Sequence, residues 1–231
     1  IANDSKVLIK WYKSEELEKY KDNRGLHKIF DELDGIIIPG GFDNRGIEGK
    51  IKAIQYVREK KVPFLGICLG LQCAVIEYSR NVCKLDDANS MEFDKETKYP
   101  VVKFVQGQEA IVKKTASMRL GSYDCELKKD SIVYELYGQK IIQERHRHRY
   151  EVNEEYVSQL EIKGFIVSGR NPQTNLVEIM ELNRDIHSYF VGTQAHPEFK
   201  SKLTAAAPLF VGLIAAAIIH KKATSEAINK L

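Results

Sequence analysis

Apolar runs broken by charged or glycine-rich stretches divide the chain into short elements. Lys6–Tyr12 (KVLIKWY), Gly35–Ile38 and Val62–Ile67 read as strands, the last two as continuous apolar runs of the kind buried on both faces. Gly25–Leu33 reads as a short helix. Ile47, Ile51, Ile54 and Val57 recur at helical spacing with charges between them, and a further helix is predicted from Leu69 to Val82. Strand and helix alternate through this half, which argues for parallel βαβ units. The second half changes character. Val101–Phe104, Ile141–Glu144, Phe165–Ser168, Leu176–Leu182 and Tyr189–Gln194 read as short strands, with helical patterns near Ser131–Tyr137 and Glu154–Lys163. An antiparallel extension of the sheet is expected there. The apolar run Ala205–Ile219 contains Pro208 and falls short of the roughly 20 residues a membrane span needs. It predicts a buried C-terminal helix ending at His220-Lys221-Lys222. With no linker, low-complexity tract or repeat, the expectation is one α/β domain over residues 1–231. Its central sheet is expected to be mostly parallel and flanked by helices.

Composition narrows the function classes. Basic residues number 35 and acidic ones 32, a net charge of +3 that gives no strong reason to expect nucleic acid or an anionic membrane as partner. A hydrophobic share of 43% with 29% charged residues excludes a mainly disordered or fibrous chain. The four cysteines, Cys68, Cys73, Cys83 and Cys125, include no CxxC pair, so neither a disulfide framework nor a zinc ribbon is expected. The thiols read as reduced, which points to the cytoplasm. The sequence starts at Ile1 with no basic-then-apolar signal segment.

The sharpest chemical signal is Gly66-Ile67-Cys68-Leu69-Gly70, a strand, then G-x-C-x-G, then a helix. This is the cysteine version of a nucleophile elbow. Side chains at Gly66 or Gly70 would crowd the strained turn. The first turn of the following helix favours thiolate over thiol. A thiol nucleophile needs a base and an orienting group. Ala195-His196-Pro197-Glu198 offers both. In an extended segment His196 and Glu198 point the same way, with Pro197 blocking a helix between them, and the carboxylate fixes the imidazole tautomer.

Pro39-Gly40-Gly41-Phe42 follows the strand Gly35–Ile38, so its turn lies at the same carboxyl edge as Cys68, where ligands bind in such sheets. Amides of Gly41 and of Leu69, just after the nucleophile, suit an oxyanion hole. Gly41–Lys50 is rich in glycine but matches no phosphate loop, because Asn44 and Ile51 stand where the pattern needs Gly and Ser or Thr. In Arg145-His146-Arg147-His148-Arg149-Tyr150 a strand puts the arginines on one face and the histidines on the other. A solvated strand and a positive face for a carboxylate ligand are both open readings.

The order PGGF, GICLGLQ and HPEF resembles class I glutamine amidotransferases, a flavodoxin-like α/β family. More specific stretches narrow the resemblance. Tyr78–Val82 (YSRNV), Asp87–Phe93 (DANSMEF), Tyr99–Val102 (YPVV), Met118–Gly121 (MRLG) and Glu144–Asn153 (ERHRHRYEVN) are similar to the glutaminase domain of CTP synthase, over about residues 30–215. The resemblance implies that Cys68 attacks glutamine, with His196 as base and Glu198 as its partner. It implies glutamine contacts at Gly41, Leu69, Gln72, Glu92 and Arg149, and an effector contact for the activator GTP at Phe42. Glu92 suits the substrate ammonium and Arg149 its carboxylate. No cofactor or metal is expected in this domain. ATP, UTP and Mg²⁺ belong to a synthetase domain that the 231 residues do not contain, and the full enzyme is expected to be a homo-oligomer. The family domain has one more strand and helix before Lys6–Tyr12, so the N-terminal edge reads as truncated. Lys114–Ser117 reads as flanking an omitted loop, and Leu203–Ala206 departs from the family's more polar turn.

Two other functions compete with this one. A γ-glutamyl hydrolase uses a similar elbow on peptides, and a silent regulatory module would keep the fold without the chemistry. Faster cleavage of γ-glutamyl peptides than of glutamine marks the first, and an unreactive Cys68 the second.

Overall fold

The computed structural model describes residues 2–20, 23–42, 44–104 and 118–228. Two short helices, α1 (Ser14–Leu17) and α2 (Asn23–Phe30), lead into β1 (Ile36–Ile38), α3 (Ile47–Lys60), β2 (Phe64–Ile67) and α4 (Leu69–Asn81). Then come β3 (Ala88–Ser90), β4 (Tyr99–Phe104), β5 (Arg119–Leu127), α5 (Ile132–Tyr137), β6 (Ile141–His148) and β7 (Tyr150–Val152). They are followed by α6 (Glu154–Ile162), β8 (Phe165–Arg170), β9 (Val177–Leu182), β10 (Phe190–Thr193) and α7 (Pro208–Ile228).

The main sheet has seven strands in the order β1-β2-β10-β9-β8-β5-β6. β1, β2 and β10 are parallel, and the other four join them antiparallel. The parallel part and the antiparallel extension are both present. The extension contributes more strands, so the sheet is mixed. β3, β4 and β7 form a second, three-stranded sheet.

The run Phe64–Ile67 is buried at every position because helices cover both faces of β2. Phe64 belongs to one buried cluster with Leu26 of α2, Ile54 of α3 and Leu71 of α4, whereas Leu65 and Ile67 belong to a second with Ile132 of α5 and Leu209 of α7. Burial of side chains this size stabilises by about 1.5–3 kcal/mol each. Both faces thus clamp the strand whose end carries Cys68.

Two expectations need correction. Lys6–Tyr12 is not a strand. It runs as irregular chain with Leu8 79% and Trp11 87% exposed, and among the described residues no strand pairs with it. A strand needs a ladder partner and a face to bury. Among the described residues this segment is held by Tyr12 against Phe30 (ring centroids 5.6 Å apart), by the Tyr12 hydroxyl donating to the Ile29 carbonyl at 3.4 Å and by Lys10 bonded to Glu32. The C-terminal helix starts at Pro208, whose fixed φ suits a first helical turn, and continues past His220-Lys221-Lys222 to Ile228. Lysine and alanine are good helix formers, and nothing in Ala223–Ile228 breaks the helix. It is buried along one stripe, at Leu209, Leu213 and Ala217, while Ile219 faces solvent.

Among the described residues no helix is long and apolar enough to cross a membrane. Leu203–Ala206 is an exposed turn closed by the Lys202–Ala205 pair. Ile1 and Lys114–Ser117 lie outside the described residues.

Candidate active site

β2 ends at Ile67 and α4 begins at Leu69, which leaves Cys68 alone to make the turn. Cys68 takes φ 51° and ψ −100°, a conformation that costs a non-glycine residue on the order of 1–3 kcal/mol. Its N–H donates to the Thr193 carbonyl at 2.7 Å, and its own carbonyl accepts from the Gln72 N–H at 3.2 Å. Glycine is required on both sides. A Cβ on Gly66 would lie 2.7 Å from the Gly70 carbonyl carbon, and one on Gly70 would lie 2.2 Å from the Ile38 carbonyl oxygen. The spacing in G-x-C-x-G therefore records close backbone packing.

Cys68 is buried, and burial pushes its thiol up to about 12. The Leu69 N–H and the Gln194 amide, whose Nε2 lies 3.6 Å from Sγ, act in the opposite direction, while the carboxylates of Glu92 and Glu198 reinforce the burial. The helix end expected to favour thiolate is outweighed. The resting thiol is neutral at pH 7 and needs a base.

His196 supplies an imidazole three residues after β10. Its backbone N–H donates to the Arg145 carbonyl at 2.7 Å, and its Nδ1 lies 2.7 Å from Glu198 Oε1. Phe199 stacks on the ring, with centroids 5.0 Å apart and planes 15° from parallel. The other nitrogen, Nε2, is buried and has no hydrogen-bond partner among the described residues. Pro197–Phe199 form one turn of 3-10 helix, with Pro197 at its start. The expected pairing of His196 with Glu198 is present, but this turn makes it, not an extended chain. The histidine and the cysteine meet over Gly40. A Cβ there would lie 2.6 Å from His196 Cε1 and 3.5 Å from Cys68 Cβ.

One cleft gathers most of the remaining candidates. Gly41, Phe42, Cys68, Gln72, Glu92 and Arg149 line it, together with His148 and Tyr150. Leu69 is buried beside Gly41, with its Cδ2 3.1 Å from where a Gly41 Cβ would stand. Glu92 and Arg149 bring opposite charges to the cleft. Gln72 Nε2 donates to the Tyr150 carbonyl at 2.9 Å and to Gln194 Oε1 at 3.3 Å. The guanidinium of Arg147 lies 5.4 Å from the centre of the Phe42 ring.

β6 alternates as the sequence predicts, with Arg145 and Arg147 outward and Glu144, His146 and His148 inward. Glu144 accepts from the Tyr137 hydroxyl at 2.8 Å, whereas His146 and His148 belong to a buried polar cluster with Arg119, Glu151 and Glu178 that the sequence reading leaves out. Its signal was the alternation itself, since a half-buried strand with polar residues on its inner face needs partners. Among the described residues no group of three or more His, Cys, Asp or Glu is placed to hold a metal ion.

Residues 2–216 match the family described as glutamine amidotransferase class-I. A CTP synthase from Methanocaldococcus jannaschii is 51% identical over 221 residues, which cover 95% of this chain and 41% of that protein. A CTP synthase from Rippkaea orientalis is 48% identical over 220 residues, or 95% of this chain and 39% of that one. The chain thus spans about two fifths of the length of these curated relatives. The glutaminase domain of Trypanosoma brucei CTPS, solved with bound acivicin, superposes with a TM-score of 0.86 at 39% identity, covering 93% of this chain and 81% of that one. A putative GMP synthase component from Thermoplasma acidophilum, 15% identical, covers 86% of this chain and 79% of that one at a TM-score of 0.56, a likeness of fold alone. With a family match over most of its length and a glutaminase domain superposing on its fold, the chain belongs to the class-I glutamine amidotransferases, as a glutaminase domain of the CTP synthase kind.

Proposed function

We propose that Cys68, His196 and Glu198 hydrolyse the side-chain amide of L-glutamine through a glutamyl thioester, and that the ammonia passes to a synthetase part of the same polypeptide. The observation that carries this reading is the buried, unpartnered Nε2 of His196. Its ring is tied to Glu198 and meets Cys68 over Gly40, at a cleft with Glu92 and Arg149 on its wall.

Glu92 pairs with the substrate ammonium and Arg149 with its carboxylate, which directs the side-chain amide toward Cys68. The thiol proton moves to His196 Nε2 as sulfur attacks the amide carbon, and Glu198 stabilises the imidazolium. The amides of Leu69 and Gly41 donate to the oxygen of the tetrahedral intermediate. Its collapse breaks the carbon–nitrogen bond, and His196 returns the proton to the departing ammonia. Water, deprotonated by the same imidazole, then cleaves the thioester to glutamate and restores the thiol.

In the complete enzyme the ammonia serves the ATP-dependent conversion of UTP to CTP with Mg²⁺, chemistry belonging to the synthetase part. Phe42, at the cleft beneath Arg147, offers a ring face for the GTP activator. All four cysteines are free, in keeping with a reducing, cytoplasmic setting, and the homo-oligomer is a property proposed for the complete enzyme.

The test is intact mass after incubation with 6-diazo-5-oxonorleucine, an electrophilic glutamine mimic, on wild type and Cys68→Ala. A single adduct that the substitution abolishes is expected. An unmodified, folded wild type, or an adduct surviving in Cys68→Ala, overturns the assignment.

A further inference from the structure

Behind the Arg149 wall of the cleft, the inner face of β6 meets β5, β7 and β9 in a cluster that the thioester chemistry does not use. We propose that Glu178, His146 and His148 form a proton-holding chain that fixes the Tyr150 carbonyl and Gln72, and through them the shape of the glutamine pocket. These are positioning residues, and their functional effect rests on the glutaminase reading above.

The chain follows from donor and acceptor counting. The Tyr150 carbonyl can only accept. It takes the Gln72 Nε2–H at 2.9 Å and faces His148 Nδ1 at 3.1 Å, so that ring nitrogen carries a hydrogen. In a neutral ring His148 Nε2 is then a lone pair. It lies 3.0 Å from His146 Nδ1, which must therefore donate. His146 Nε2 is left as a lone pair, 3.5 Å from Glu178 Oε2. That oxygen is buried and has no hydrogen-bond partner among the described residues, while Glu178 Oε1 accepts from Arg119 Nη2 at 2.7 Å. Two lone pairs facing each other in a dry interior repel unless a proton lies between them. With both rings neutral, the proton sits on Glu178 Oε2.

Charge balance agrees. Arg119 also donates to Glu151 Oε1 at 3.4 Å, so one ionised carboxylate neutralises the guanidinium and the other carboxyl can stay protonated. Burial, with Arg119 nearby, holds both imidazoles far below their usual range. Burial raises both carboxyls, to about 7, against the opposing pull of Arg119. The titratable and charged groups around Glu178 are Arg119 and Cys125 from β5, His146 and His148 from β6, and Glu151 from β7. His196 acts on the two rings from the site side. Once Glu178 loses its proton at higher pH, its carboxylate faces the His146 lone pair directly. The relay loses its first donor and the Tyr150 wall loosens. Substrate affinity then falls, because the chain ends at the pocket wall and touches no reacting atom.

Two isosteric substitutions separate this from a general electrostatic role. Glu178→Gln keeps an N–H for His146 and a carbonyl for Arg119, and so imitates the protonated acid at every pH. Glu151→Gln leaves Glu178 as the sole counter-charge for Arg119 and forces it to ionise. The readout is saturable alkylation by 6-diazo-5-oxonorleucine, which separates half-saturation from maximal rate. In the wild type the half-saturating concentration should rise about 3–10-fold from about pH 6 to about pH 8.5, the worth of one hydrogen bond. Glu178→Gln should show the low value throughout, and Glu151→Gln the high value throughout. Identical behaviour of the two variants, or an alkaline rise in Glu178→Gln, overturns the proposal. Independently of activity, ¹⁵N–¹H spectra of the imidazoles should show both rings neutral and protonated at Nδ1 below pH 7. An imidazolium or an Nε2–H tautomer at either ring also overturns it. A wild type that is not alkylated at all speaks against the glutaminase reading, and the tautomers still decide the relay.

Discussion

Gly40 stands between the nucleophile and its base, so Gly40→Ala tests the geometry of the pair. Gly40 is not among the positive-φ glycines, and its backbone accepts alanine without strain. The obstacle is His196. The new methyl carbon would lie 2.6 Å from Cε1 and 3.4 Å from Nδ1, whereas carbon atoms rest at about 3.5–4.0 Å. The imidazole must retreat by about 1 Å. It is not free to swing, because Glu198 holds Nδ1 at 2.7 Å and Phe199 stacks on its face. A displacement of that size costs roughly 10²-fold in rate, or about 2.7 kcal/mol in the barrier. The methyl group would meet His196 and the Cβ of Cys68, neither of which holds the ammonium or the carboxylate of glutamine in the proposed mechanism, so glutamine binding should change little. The assay is glutamate formation at saturating glutamine, with thermal melting alongside. The expected result is a kcat lowered about 10²-fold at near-constant KM, with a melting temperature within a few degrees of wild type. A variant with wild-type kcat would show that His196 does not act from this position, and a loss of rate that tracks unfolding would refute the steric account.

Glu198→Gln removes the charge that stabilises the imidazolium, and kcat should fall by roughly 10²–10⁴-fold with KM little changed. An unchanged rate would remove Glu198 from the mechanism. Arg149→Ala should raise the KM for glutamine by roughly 10–150-fold, matching the 1.5–3 kcal/mol of a charge-assisted hydrogen bond, and a KM within twofold of wild type would contradict its carboxylate role. His187 is buried and neutral, accepting from the Tyr189 N–H through Nδ1 and facing the Val57 carbonyl with Nε2. Burial lowers it from 6.5 to about 4, so the folded state binds fewer protons than the unfolded one between those values. Its contribution is therefore present above pH 6.5 and is lost as pH falls toward 4, by about 3 kcal/mol in all. Urea titrations at the two ends should show a shallower pH dependence in His187→Gln, and equal slopes would refute the assignment.

The sequence disclosed the parts of the site that depend on backbone packing. Gly66, Cys68 and Gly70 are spaced by a turn that tolerates no side chain, and Phe64–Ile67 is apolar throughout because both faces are covered. His196 and Glu198 were visible as a pair, though not as members of a 3-10 turn, because Pro197 fits the start of such a turn as well as it fits extended chain. β5 was missed because RLGSYDCEL carries charge along its length and pairs through backbone on both sides. Lys6–Tyr12 was misread for the opposite reason. Its composition suits a strand, but pairing and burial are tertiary properties that composition does not contain. Arg119, Glu151 and Glu178 lie far apart in sequence, on strands of two different sheets, and meet only in the folded chain, so no local pattern names them as partners.

The backbone of Cys68 carries an implication for how this position can vary. A left-handed φ is held there by the Thr193 carbonyl and by α4, whichever residue occupies it. Glycine would sit there without strain, yet glycine is the one residue with no side chain to react. Stability and reactivity therefore pull in opposite directions at this single site. In a population of copies released from the need for glutamine hydrolysis, substitution should drift toward glycine at position 68 while Gly66 and Gly70 persist. A silenced relative would then be recognisable by an elbow that has kept its shape and lost its sulfur.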